Sequence, residues 1–220
     1  MTRAEYIRSL SQLRDQVVQL SSMVDKAISR STEALKNQDI KLAQQVVKAD
    51  HDINELRWNL EDEALAVIAM QAPMAGDLRR IVAGLHIISE LERMGDHAAG
   101  NAKIVTLTAN EPPLKPLVDI PRMSALAIAM LTSAIDAFIR SDVELARKTM
   151  QMDDEIDELY NQVYRELLVY MMEDPKTINR ATHLLWAAHN LERIGDRTEN
   201  ICEFVVYSVT GNISEAYIPD

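Results

Sequence analysis

The chain holds one cysteine, Cys202, in 220 residues. That excludes an intrachain disulfide and a thiolate metal site, fits a reducing compartment, and leaves Cys202 as a small buried apolar side chain. Glycine (6), proline (7) and aromatic residues (5%) are also scarce, which starves a sheet of its usual formers and suits long helices. Basic residues are outnumbered, 23 against 34 acidic, for a net charge of -11. A protein that wraps nucleic acid needs clustered Lys and Arg, so no nucleic-acid partner is expected. Long apolar runs are missing: the uncharged stretches Ala64–Gly76 and Met123–Ile135 span about 13 residues, short of the ~18–20 that cross a bilayer. Direct membrane insertion is therefore not expected. The opening "MTRAEYIRSLSQLRDQ" alternates charged and apolar residues and is not a signal peptide. No phosphate-binding glycine loop, nucleophile elbow or H-E-x-x-H occurs, so no enzyme is indicated.

What the chain does have is helical periodicity. Apolar residues recur every three or four positions from Tyr6 to Leu35, from Leu42 to Met70 after a cap at Asp39, and from Ile81 to Leu107. "NEPPLKP" interrupts the pattern with three prolines. Helices are then predicted over Ile120–Arg140, Asp142–Met171 and Lys176–Val209. The expected fold is all-α, two tandem three-helix bundles of six long antiparallel helices, with repeats at 1–109 and 120–220 and a Pro-rich linker at 110–119.

The two halves register on each other. At an offset of 103, "DIKLAQQVVKADHDINEL" meets "DVELARKTMQMDDEIDEL"; at an offset of 100, "LERMGD" meets "LERIGD". Two helices share one offset and the third has another, as a duplicated unit with one three-residue loop difference requires.

Glu92 and Asp96, and likewise Glu192 and Asp196, are four residues apart. They therefore share a helix face, with Cβ atoms ~5–6 Å apart. Like charges at this spacing cost a few tenths of a kcal/mol, and the glycine inside each motif, Gly95 or Gly195, costs about 1 kcal/mol relative to Ala. Stability does not explain the pattern. The second helix of each half repeats the spacing with Asp50 and Asn54, and with Asp153 and Asp157. Oxygen ligands paired on two neighbouring helices are one way a bundle holds a metal, although the usual di-iron bundle adds a Glu-x-x-His that is missing here. A hard cation or carboxylate-bound iron, zinc, manganese or magnesium fits this donor set. The competing reading makes Arg93–Asp96 and Arg193–Asp196 ordinary ion pairs and the glycines points of close helix approach. His51 and His97 lie near the acids but are replaced by Asp154 and Arg197 in the other half, so they are expected on the surface. A carboxylate-metal enzyme, a phosphoesterase or di-iron-type oxidase, is the alternative function; it lacks a nucleophile.

"LERIGDRTENICEFV", "ELERMGD", "KADHDIN", "YMMEDPKT" and the "NQD" turn resemble the PhoU family of phosphate-transport regulators over nearly the whole chain. The resemblance implies two homologous bundles side by side and multinuclear metal clusters on E(D)-x-x-x-D motifs. Those motifs fall here on Glu92, Asp96, Glu192, Asp196, Asp153 and Asp157, with Asp50 completing the set and Asn54 departing from the acidic pattern. It further implies a cytoplasmic brake on the phosphate (Pho) regulon and on uptake. The partners would be the ATPase subunit of the phosphate ABC transporter (PstB-like) and a phosphate-sensing histidine kinase (PhoR-like), with recruitment to the inner face of the membrane. Family members form homodimers and larger assemblies.

Overall fold

A computed structural model describes residues 3–71 and 73–217. Asp39 and Asp142 each accept a hydrogen bond from the backbone N–H three residues on, Leu42 and Leu145, at 3.0 Å, and so start a helix. The residue before each, Gln38 (φ 51°) and Ser141 (φ 55°), is left-handed. The N–H groups of Asp39 and Asp142 reach back to the carbonyls of Ala34 and Ala137 at 2.9 Å, which ends the preceding helix in a Schellman turn. The repeat seen in the residues is thus a repeat of turn geometry.

The helices are α1 (Arg3–Asn37), α2 (Ile40–Gln71), α3 (Ala75–Thr108), α4 (Asp119–Arg140), α5 (Val143–Met150), α6 (Asp153–Glu173) and α7 (Ile178–Thr210). No strand occurs among the described residues. The predicted helix over Asp142–Met171 is a correction: it breaks into α5 and α6 at Gln151–Met152. There Met152 N–H bonds to Thr149 O at 3.1 Å and Glu155 N–H to Met152 O at 3.2 Å, tighter i→i−3 bonds in place of the helical ladder. Asp153, Asp154 and Glu155 consequently occupy the first turn of a new helix, where the dipole favours negative charge.

Helices α1, α2 and α3 form one bundle, α4 to α7 the other, and residues 109–118 join them without regular structure. The bundles lie side by side, with α3 against α7 as the most extensive helix pair and α1 against α4 beside it. Their apolar faces merge into one continuous core that includes Leu20, Ile28, Ile88 and Leu91 from one half and Met130, Leu131, Leu191 and Ile194 from the other. Helix α4 is long and apolar enough to cross a bilayer, with a mean hydropathy of 1.5 over its most apolar window. Its Met123, Ala127, Met130 and Ala134 are instead fully buried in this core. Cys202 is buried as well, and burial pushes its thiol up to about 12, so it is an inert core side chain.

Candidate metal-binding faces

The first face lies on α2 and α3. Gly95 faces α2 directly: a Cβ built there meets Ile53 at 3.2 Å and Asp50 Oδ1 at 3.5 Å. Asp50 is thereby drawn in between the helices, and its Oδ1 is buried without a hydrogen-bond partner. Burial raises its pKa first and Asp96 raises it further, while Lys103 opposes. Glu92 is raised by burial and then by Asp96, against Arg57 and Arg93. Asn54 donates from Nδ2 to the Asp50 carbonyl at 3.1 Å and approaches Oδ2 at 3.5 Å. Its amide nitrogen is therefore occupied within the face.

The second face repeats this on α6 and α7 at closer quarters. A Cβ on Gly195 would overlap Asp153 Oδ1 and meet Ile156 at 3.1 Å. Asp153 is 8% exposed, and its Oδ1 is likewise buried without a partner. Burial, then Glu199, Asp157, Asp196 and Glu192, raise its pKa to about 7. Asp157 is raised by burial, Asp196 and Asp154, and Glu192 by burial and Asp196, with His189 Nδ1 at 3.1 Å opposing. Arg193 donates to Asp196 within α7. The ion-pair reading thus holds at Asp196, whereas Arg93 faces Glu90 at 3.8 Å instead of Asp96.

The eight predicted ligands therefore fall into two groups of four, each group spread over two neighbouring helices. Glu199 joins the second group: burial and Asp196 raise its pKa. Its spacing of three from Asp196 was visible in the sequence, but position 99 in the other half is Ala99, so the repeat did not single it out. Among the described residues, no three Asp, Glu, His or Cys side chains converge on one point that would hold a metal ion. The faces fit a hard cation by donor chemistry and by their orphaned, mutually repelling oxygens; binding requires carboxylates to turn toward a common centre.

His97, expected on the surface, is half-buried in the α3–α7 seam. Its Nδ1 lies 3.2 Å from Asn190 Oδ1, and burial lowers its pKa. Asn190 Nδ2 donates to Asn101 Oδ1 at 2.9 Å. The equivalent site across the seam has Glu90 accepting from Arg197 and Asn200, both at 3.3 Å. His86, elsewhere on α3, stacks on Phe204 at 4.3 Å.

The PhoU domain matches residues 17–105 and 120–205, once per bundle. The chain belongs to the PhoU family. A phosphate-specific transport system accessory protein PhoU homolog of Aquifex aeolicus is 42% identical over 206 residues, covering 94% of this chain and 93% of the relative. One of Caulobacter vibrioides is 39% identical over 211 residues, 96% and 92% of the two chains. Among solved structures, PhoU from Pseudomonas aeruginosa superposes with a TM-score of 0.90 at 34% identity, covering 94% of this chain and all of that one. The phosphate transport system regulatory protein PhoU from Streptococcus pneumoniae gives 0.88 at 30% identity, covering 94% of this chain and 98% of its own. The paired bundles are thus the PhoU architecture.

Proposed function

We propose that this chain is a regulatory accessory protein of phosphate uptake. The observation that carries the reading is its relation, over nine-tenths of its length, to accessory proteins of the phosphate-specific transport system. Its finer form is a cytoplasmic negative regulator of the phosphate regulon. It acts as a homodimer at the inner face of the membrane, between the transporter's ATPase subunit and a phosphate-sensing histidine kinase. Deleting the gene is expected to raise phosphate-starvation expression in phosphate-rich medium, and retrieval of the protein from such cells to bring both partners. An unchanged expression level sinks the brake.

The metal reading is part of the same proposal. Asp50, Asn54, Glu92 and Asp96 would hold a cation on the first face, and Asp153, Asp157, Glu192 and Asp196 on the second, with Glu199 beside them. An ion would supply the positive charge that Asp50 Oδ1 and Asp153 Oδ1 lack. Elemental analysis of protein purified without chelator is expected to find bound divalent or trivalent metal, iron, zinc, manganese or magnesium, that falls in the Asp153→Ala, Glu192→Ala, Asp196→Ala variant. Equal metal in both proteins removes the site.

A further inference from the structure

The repeated motif carries an arginine at the same place in both halves, Arg93 and Arg193, and the two arginines make different bonds. On a helix each can reach an acid three residues before it or three residues after it. Arg93 has an acid on both sides, Glu90 and Asp96. It turns back to Glu90, at 3.8 Å, and Asp96 keeps no ion-pair partner among the described residues. Arg193 has an acid on one side only. Asn190 stands where the other half has Glu90, carries no charge, and is taken up across the seam by His97 and Asn101. Arg193 therefore turns forward and donates to Asp196. A single difference, Glu90 against Asn190, decides which way the arginine points.

The two faces are left unequal by this choice. On the first, the Asp96 carboxylate is exposed and unpaired. On the second, a guanidinium already sits on Oδ2 of Asp196. It does not reach deeper: Asp153, opposite on α6, is 8% exposed and its Oδ1 is buried without a partner. A planar guanidinium neutralises a carboxylate at the rim, but it cannot gather several oxygens at ~2.0–2.6 Å as a compact cation does. While Asp196 is paired with Arg193, it is not free to converge with Asp153, Asp157 and Glu192. Both members of the pair are about one-third exposed, so the bond is weak enough to exchange.

We propose that Arg193 is a built-in competitor of the metal at the second face: it holds Asp196 in metal-free protein and has to release it before Asp153, Asp157, Glu192 and Asp196 can close on a cation, whereas the first face has no such occupant. This rests on the metal reading of that face.

The probe is manganese(II), with the free ion counted by electron paramagnetic resonance, in full-length protein. Glu92→Gln, Asp96→Asn leaves the second face to be titrated alone, and Glu192→Gln, Asp196→Asn leaves the first. Arg193→Gln is expected to tighten the second face about tenfold, and Arg93→Gln the first about twofold. Each substitution removes one positive charge from the equivalent place, so the through-space effect is common to both and the remaining factor reads the contact with Asp196. Helical circular dichroism is expected to be unchanged in all variants. Equal factors at the two faces, or no tightening by Arg193→Gln, overturn the competition while the metal sites stand. Manganese bound at neither face, in wild type or variants, takes down the metal reading and the competition with it.

Discussion

Asp153 and Gly195 compete for the same few ångströms. Alanine is better than glycine in a helix interior by about 1 kcal/mol, yet a methyl at position 195 would overlap Asp153 Oδ1. Gly195→Ala is therefore expected to leave the melting temperature within a few degrees while pushing the Asp153 carboxylate toward solvent. Burial and the neighbouring acids push the Asp153 pKa up to about 7, and an NMR titration of the variant should find it fallen toward the ordinary carboxylate range; equal values in wild type and variant would show that the glycine does not set it. The same residue fixes a pH dependence. A carboxyl whose folded pKa lies above its unfolded value keeps its proton longer in the folded state, so metal-free protein loses stability as pH rises from about 4 to 7. Asp153→Asn should flatten this slope, leaving the part due to the other raised carboxyls, and at pH 8 in chelator stabilise by on the order of 1–2 kcal/mol in thermal denaturation. A variant that melts with the same slope contradicts it. The four-residue acid pairs were legible in the sequence because helical geometry alone puts i and i+4 on one face. The partners of His97 were not, because Asn190 lies 93 residues away and no local pattern couples them.

At the scale of elements, the corners at Gln38 and Ser141 hold L-residues in a left-handed conformation that glycine adopts without a Cβ penalty. Ser141→Gly is expected to stabilise by about 0.5–1 kcal/mol, and Gln38→Gly by less, because it also removes the hydrogen bond that Gln38 Nε2 donates to Glu111 O at 2.9 Å. They lie at opposite ends of the molecule, so urea denaturation of the double variant should return the sum to within ~0.5 kcal/mol. A non-additive result would mean that the corners communicate. Both corners were readable in advance from the Asp caps and the matching offsets. The break between α5 and α6 was not, since Gln151 and Met152 are neither Gly nor Pro. Their equivalents Lys48 and Ala49 lie within the unbroken α2. Periodicity continues through such a break, because two or three tightened hydrogen bonds barely rotate the face that follows.

For the whole molecule, the deciding surface is the antiparallel contact of α3 with α7. Its polar groups are buried: Glu90 is 8% exposed and Asn101 fully enclosed. Removing one partner of a buried charge leaves the other uncompensated. Arg197→Ala is expected to cost about 2–3 kcal/mol, and Glu90→Gln in that background to restore at least 1 kcal/mol of it, a coupling that a double-mutant cycle reads directly. Independent losses would dismiss the pair. That two similar halves exist was plain from the offsets of 103 and 100; that they meet through their third helices was not, because burial of Glu90 contradicts what its charge suggests on a helix. The approximate twofold across this seam has a consequence for descent. Were the halves separate, identical chains, each substitution at the seam would strike twice, and Glu90 would necessarily face the same neighbours as its own copy. Joined by a linker, the two sides mutate singly. Glu90 has come to meet the cation Arg197, while position 190 holds a neutral Asn190 opposite His97. Fusion thus made one inherited surface into two that selection can adjust separately.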